Sequence, residues 1–328
     1  MTALPIPEVS APTPRTQRSA AASAPLTGTL LAVLSAAAFS TSGALAASLL
    51  ATGWTPAAIV TFRLGLAALV LLGPALWQVR GRTHLLRRHW RRVVVYGLVT
   101  MAACQLAFFY AVSRLSVGVA LLLEYTAPVL IVALVWARTR RRPSWLRLGG
   151  AATAMLGLAL VLDVFSGFRI DPVGVVFGLA AAVCLVAYFM MSAHADDELP
   201  PLVLATGGLV SATVVLAVVG TLGLVPMAWS TDAVVLLGHR TSPLVPLLAI
   251  SLVAAALAYL TGIAASRRLG ATMASFLGLL EVFFAVVWAW LLLDQLPLPV
   301  QLLGGVVIMA GVVAVKVDEV RVGRTLPG

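Results

Sequence analysis

Apolar positions gather into long runs separated by short polar breaks. A helix needs about 20 apolar residues to cross a hydrocarbon core of about 30 Å. Ten runs approach that length: residues 26–50, 56–78, 93–112, 117–137, 148–165, 172–194, 202–223, 244–265, 271–293 and 298–316. The pattern predicts an all-α polytopic membrane protein with ten transmembrane helices, of which 148–165 is the shortest. Residues 1–25 break the pattern. Pro5, Pro7, Pro12, Pro14 and Pro25 stand there among Ser, Thr and Ala, which predicts a disordered tail. That tail and the first run do not make a signal peptide, because the run far exceeds an apolar core of about 7–15 residues. Residues 317–328 read as a second short tail.

Composition agrees. The chain of 328 residues is 61% hydrophobic and 10% charged, with a mean hydropathy of +1.04. A soluble domain carries about 45–50% apolar and about 25% charged residues. A water-soluble globule is excluded, since polar side chains could not cover its surface. The net charge of +10 would suggest nucleic acid in a soluble protein, but its distribution gives another reason. With a cytoplasmic N-terminus, eighteen basic residues fall on inside segments, including Arg80, Arg82, Arg87, Arg88, Arg91 and Arg92. Only Arg114, Arg169 and Arg240 fall on outside loops. The excess of inside Arg and Lys predicts both termini in the cytoplasm and a place in the plasma (inner) membrane. It also leaves no role for nucleic acid. The acidic cluster Asp196, Asp197 and Glu198 counts little in this rule. Cys104 and Cys184 lie within apolar runs and read as small core hydrophobes. No disulfide framework, metal spacing or cofactor motif is expected.

The chain also matches itself. Shifted by 154 residues, 114–157 meets 268–311 with 11 identities in 44 positions. Arg114 meets Arg268, Trp136 meets Trp290, Pro143 meets Pro297, Gly150 meets Gly304 and Gly157 meets Gly311. Earlier positions match more weakly, as Gly28 with Gly174 and Ala36 with Ala182. Ten helices in two copies make five per copy. An odd number forces the second copy to enter from the opposite side, so an inverted repeat is expected. That architecture is associated with alternating access to a site near the midplane. Gly149, Gly150 and Gly157 in one copy, and Gly304, Gly305 and Gly311 in the other, predict close backbone packing of the fifth and tenth segments.

Ionisable groups at membrane depth are costly and usually face a cavity or a partner. Arg63, Glu124 and Glu281 are the three such residues. Arg63, Glu124 and Gln105 each stand seven residues in from a predicted outer end, roughly 10 Å deep. Two readings stand open for Arg63 and Glu124. Either they form a permanent ion pair that orients helices, or Arg63 holds a substrate carboxylate while Glu124 holds an ammonium or exchanges a proton. Pro128 cannot donate to the Glu124 carbonyl, so Glu124–Pro128 is either a broken-helix binding element or a simple kink. Glu281 pairs with Ala127 in the repeat, one turn from Glu124. It reads as a proton site or a neutral hydrogen-bonding residue. Ser40, Thr41, Ser42, Tyr125, Tyr188 and Tyr259 are weaker substrate candidates. Trp136 and Trp290 read as interfacial anchors.

At these residues the chain resembles a known family. Leu123-Glu124-Tyr125-Thr126-Ala127-Pro128, followed by an Arg run and Gly149-Gly150, resembles the EamA-type members of the drug/metabolite transporter superfamily. The stretch is similar to the Leu-Glu-Phe-Thr-Gly-Pro of the homoserine/threonine exporter branch. Leu280-Glu281-Val282-Phe283 through Leu291-Leu292-Leu293-Asp294-Gln295 resembles the family's second-half motif, with Val282 in place of a proline. The resemblance implies two inverted repeats, over 26–165 and 172–316, around a central cavity. It further implies export of amino acids or related metabolites, with segments one to four and six to nine lining the cavity.

A secondary transporter therefore leads. The chain has no Gly-x-x-x-x-Gly-Lys-Ser/Thr phosphate loop, so a proton or solute gradient would supply the energy, or transport would be facilitated. The expected partners are a small-molecule substrate and the lipid bilayer, with a proton as one option for coupling. Two other classes remain. An intramembrane enzyme would want a His near a Ser or Asp at depth, but His84, His89, His194 and His239 fall in loops or at segment ends. A sensor or scaffold would want a soluble domain.

Overall fold

The structure, a computed structural model, describes residues 14–112, 114–115, 117–140, 142–162, 171–194, 199–293, 296 and 298–325. Arg169, Asp196, Asp197, Glu198, Asp294 and Gln295 lie outside the described residues. The described chain is nearly all helix. The first stretch is α1 (Pro14–Leu50), α2 (Pro56–Gln78), α3 (Thr83–Tyr96), a π-helical stretch at Gly97–Ala103 and α4 (Cys104–Val112). Then come α5 (Val117–Glu124), α6 (Ala127–Thr139) and α7 (Trp145–Val161). The second half holds α8 (Pro172–Ala193), α9 (Pro201–Thr221) and α10 (Leu244–Ser251), then a second π-helical stretch at Leu252–Leu257. It ends with α11 (Ala258–Gly278), α12 (Leu280–Leu293) and α13 (Pro299–Thr325). Pro56, Pro172, Pro201 and Pro299 each open a helix, where the missing N–H costs nothing and φ is preset.

Among the described residues, eight helices are long and apolar enough to cross a membrane, and Trp145–Val161 and Leu280–Leu292 are shorter apolar helices. The gap expected between the runs at 244–265 and 271–293 falls at Gly270, a non-helical residue where two helices meet and whose φ of 76° suits the absence of a Cβ. Three expectations change. Helix begins at Pro14, before the first apolar run, as alanines at 20–22 favour. It also persists to Thr325, past the expected start of the tail at 317. Asp318 there is buried and bonds Arg147 Nε at 2.9 Å and the Ser144 hydroxyl. Finally, the chain is not purely helical. Strands β1 (Val234–Leu236) and β2 (His239–Thr241) form an antiparallel hairpin. Its two-residue turn, Leu237-Gly238, has φ of 54° and 75°, the mirror-image turn that tight hairpins favour. Val234 packs on Leu49, Trp54 and Ile59, and Trp54 Nε1 donates to the Ser230 carbonyl at 2.8 Å, so the hairpin is strapped to the α1–α2 turn.

Two kinds of helix contact position the interior. Helices α7 and α13 pack backbone to backbone. A Cβ on Gly157 would lie 2.5 Å from Ile308 N and 2.7 Å from Gly304 O; one on Gly311 would lie 2.6 Å from Gly150 O. Such approach requires glycine. The second kind crosses between halves. Gly28 on α1 seats Arg268 and Leu269, while Gly174 on α8 seats Arg114 and Leu115. Ser35 Oγ donates to the Ala258 carbonyl at 2.8 Å, and Cys104 Sγ to the Ala181 carbonyl at 3.7 Å. Each half thus lays its first helix against the other.

Candidate functional site

The crossing helices enclose a cavity of about 670 Å³, lined from α1, α2, the π-helical stretch at Gly97–Ala103, α4, α5, α7, α8, α11, α12 and α13. Against expectation, the seventh segment, α9, contributes no lining residue, while the fifth and tenth contribute Val161 and Gln301. Ser40, Arg63, Gln105, Glu124, Tyr125, Tyr188 and Glu281 all line it. Ser42 and Tyr259 do too, whereas Thr41 turns its hydroxyl to the Ala38 carbonyl of its own helix. Trp136 and Trp290 are about half exposed on the outer surface of the bundle. Pro128 is buried at the start of α6, behind the cavity wall. Gly150, Gly157, Gly304 and Gly311 belong to the α7–α13 seam.

The two carboxylates arrive on broken helices. Glu124 ends α5, and after Tyr125-Thr126 the chain restarts as α6 with Pro128 in its first turn. Three-residue bonds, Thr126 N to Leu123 O and Val129 N to Thr126 O, replace the regular ladder there. Glu281 lies in the first turn of α12, just after the break at Leu279. The same tight bonds recur, Leu279 N to Phe276 O and Val282 N to Leu279 O. The second half is therefore broken at the repeat-related place without a proline.

Of the two readings left open for Arg63 and Glu124, the permanent ion pair does not form. Among the described residues no ion pair joins Arg63 and Glu124. Arg63 instead approaches the Tyr259 hydroxyl and lends its field to Glu281, whose carboxylate faces the Tyr125 hydroxyl. Glu124 accepts from Cys104 Sγ at 3.4 Å. The reason is helix facing: Arg63 on α2 looks toward α11, while Glu124 on α5 looks toward α4. Cys104 is thus more than a small hydrophobe. Both cysteines are free thiols.

Sequence reasoning missed Ser35, Thr100, Ser266 and Gln301, which also line the cavity, and the aromatic wall of Phe39, Phe108 and Phe189. Phe39 meets Tyr259 edge-on at 4.8 Å, and Tyr188 meets Phe189 at 5.0 Å. Trp288 Nε1 donates to the Ala37 carbonyl at 3.0 Å, tying α12 to α1 beside the cavity. The chamber is hence one guanidinium and two carboxylates set in hydroxyls and aromatic rings. Among the described residues no group of three or more His, Cys, Asp or Glu side chains could hold a metal. At the helix start outside the membrane, Gly174 and Val173 N–H groups and Arg114 hold the Asp171 carboxyl below the usual carboxylate range.

Residues 26–163 and 172–317 each match the EamA-like transporter family. The chain belongs to that family. This EamA-like transporter is 30% identical to "Uncharacterized transporter YwfM" of Bacillus subtilis (strain 168) over 243 residues, covering 70% of the chain and 76% of the relative. It is 26% identical to "Threonine/homoserine exporter RhtA" of Escherichia coli (strain K12) over 257 residues, covering 77% and 79%. A solved structure, "Crystal structure of protein", matches with a TM-score of 0.72 at 20% identity, covering 90% of this chain and 98% of that one. That likeness shows the fold alone. Family and fold together make this a multi-pass membrane transporter with a small-molecule substrate.

Proposed function

We propose that this transporter exports amino acids or related small metabolites across the plasma membrane as a secondary carrier working by alternating access. The observation that carries the reading is a single cavity holding Arg63 together with two carboxylates, Glu124 and Glu281. A zwitterion supplies the complementary pair, its carboxylate to Arg63 and its ammonium to Glu124. Glu124 suits the ammonium because the only side chain bonded to it among the described residues is a thiol, a weak donor. Glu281 is already faced by Tyr125 and Arg63. Similarity to an exporter of threonine and homoserine supports the substrate class.

In this reading the chain crosses ten times as two inverted five-helix repeats, with α7 and α12 as full spans and both termini cytoplasmic. The exchanged contacts support the inversion. Gly28 with Arg268 and Leu269 mirrors Gly174 with Arg114 and Leu115, and these are repeat partners in the sequence. The cavity reaches Leu162, Leu296 and Gln301, which are outer residues in that orientation, while Gly28 and Leu269 close the inner end. A proton on Glu124 would compete with the ammonium and so couple flux to a pH gradient.

Counterflow in liposomes tests the reading. Vesicles loaded with an amino-acid panel should accumulate the matching labelled amino acid, and an imposed pH gradient should change the rate. No flux of any amino acid or related metabolite from well-folded protein would refute it.

A further inference from the structure

We propose that Tyr188 and Ser266 form an uncharged hydrogen-bonding subsite in the cavity that receives a hydroxyl or carboxamide group of the substrate. The inference rests on the amino-acid reading above and narrows it to polar, uncharged side chains.

Buried polar groups are nearly always hydrogen-bonded. Buried hydroxyls of this bundle follow the rule either by reaching another helix, as Ser35 and Ser192 do, or by turning back on their own. Thr41, Ser48, Thr100, Thr206, Ser251 and Ser275 each donate to a carbonyl three or four residues earlier. Ser266 departs from this habit. It is 0% exposed, yet its Oγ has no partner. Tyr188 is 6% exposed, and its Oη has none either. Both residues line the cavity.

Their placement is built rather than incidental. Gly262 lies one turn before Ser266 on α11, and a Cβ there would collide with Tyr188 Oη. The missing side chain is what lets the tyrosine reach α11 beside Ser266. The ring cannot swing away to find another partner. It is wedged against Phe189 at 5.0 Å and Tyr259 at 6.1 Å between ring centroids. Arg63 Nε is a third buried polar atom without a partner on the same cavity, and Arg63 approaches Tyr259. Tyr259, Gly262 and Ser266 share one face of α11 at helical spacing. A substrate carboxylate on Arg63 therefore directs its side chain along that face toward Tyr188 and Ser266. Two hydroxyls can both donate and accept but carry no charge, which matches an alcohol or an amide and offers nothing to an alkyl chain.

The probes are near-isosteric pairs, labelled threonine against valine and asparagine against leucine, in liposome counterflow with the full chain. The wild type should favour the polar member by about tenfold, the scale of one net hydrogen bond. Tyr188→Phe and Ser266→Ala should each bring the ratio toward one. So should Gly262→Ala, which displaces the Tyr188 hydroxyl without removing it. Thr261→Val alters a neighbouring α11 hydroxyl that bonds its own helix, and should leave the ratio as in wild type. Flux of both members at equal rates in the wild type overturns the subsite and leaves the amino-acid reading standing. A polar preference that survives all three variants, or falls equally in Thr261→Val, does the same. No flux of either pair, nor of any other amino acid or metabolite, overturns both.

Discussion

The two halves place one carboxylate each in the same chamber, but on opposite ends of a half-helix. Glu124 is the last residue of α5; Glu281 is in the first turn of α12. A helix dipole favours negative charge at its N-terminal end and opposes it at its C-terminal end. Glu281 thus sits where its own backbone welcomes a carboxylate, with Tyr125 facing it. Glu124 sits where its backbone does not, with a thiol for company. A duplicated frame can therefore give one acid a settled role and leave the other in need of an external cation. The halves differ again in how they break. Pro128 lacks an N–H, whereas Val282 donates its own to Leu279 at 3.2 Å, and the helix is interrupted in both.

The sharpest way to break this contrast is to neutralise each acid. Glu124→Gln should lower counterflow by about a hundredfold and Glu281→Gln by about tenfold, on the scale of losing one partner of a desolvated charge contact. A larger loss from Glu281→Gln would reverse the assignment. Next comes the seam that both halves share. Gly157→Val and Gly311→Val each push a side chain into facing backbone and should destabilise by about 1–3 kcal/mol. Thermal unfolding in detergent would read this, and tolerance at only one position would show the seam to be lopsided. Smaller still is Val282→Pro, which gives the second half the first half's proline. It also deletes the N–H that Val282 donates to Leu279, which should cost about 1 kcal/mol. No loss would mean that bond contributes nothing to the second break. The smallest effect concerns Asp171, which caps α8 and bonds Arg114 at 3.3 Å. Its folded carboxyl titrates below the usual range. Its contribution is therefore complete above the normal carboxylate range and lost as pH falls through the lowered folded value. Asp171→Asn should lower stability slightly at neutral pH and remove that acid limb, so that the variant and wild-type stability-versus-pH curves converge at low pH.

The spans were legible because lipid demands long apolar runs, and the three buried charges stood out against them. The family was legible in Leu123–Pro128. Facing was not. In a bilayer the outer side of a helix is as apolar as the inner, so no periodicity reports which residues look inward. That is why an Arg63–Glu124 pair stayed open as one of two readings and the neighbourhood of Arg63 and Tyr259 went unseen. Cys104 and Ser266 were hidden for a related reason. A small, weakly polar residue in an apolar run looks the same whether it meets lipid or a cavity. The break at Gly270 was legible as the gap between two apolar runs, and its φ of 76° explains why a glycine stands there. The hairpin turn lacks the common Asn-Gly or Asp-Gly signal, since Leu237 takes the first left-handed position.

The clasp of Asp318 on Arg147 and Ser144 joins residues 171 and 174 positions apart. During synthesis, α7 reaches the bilayer long before α13 leaves the ribosome. Its glycine groove stays without its partner until the final helix arrives and the acid near its far end meets the arginine. Assembly of that seam is therefore completed from the C-terminus, and a chain cut short of α13 would leave the groove open.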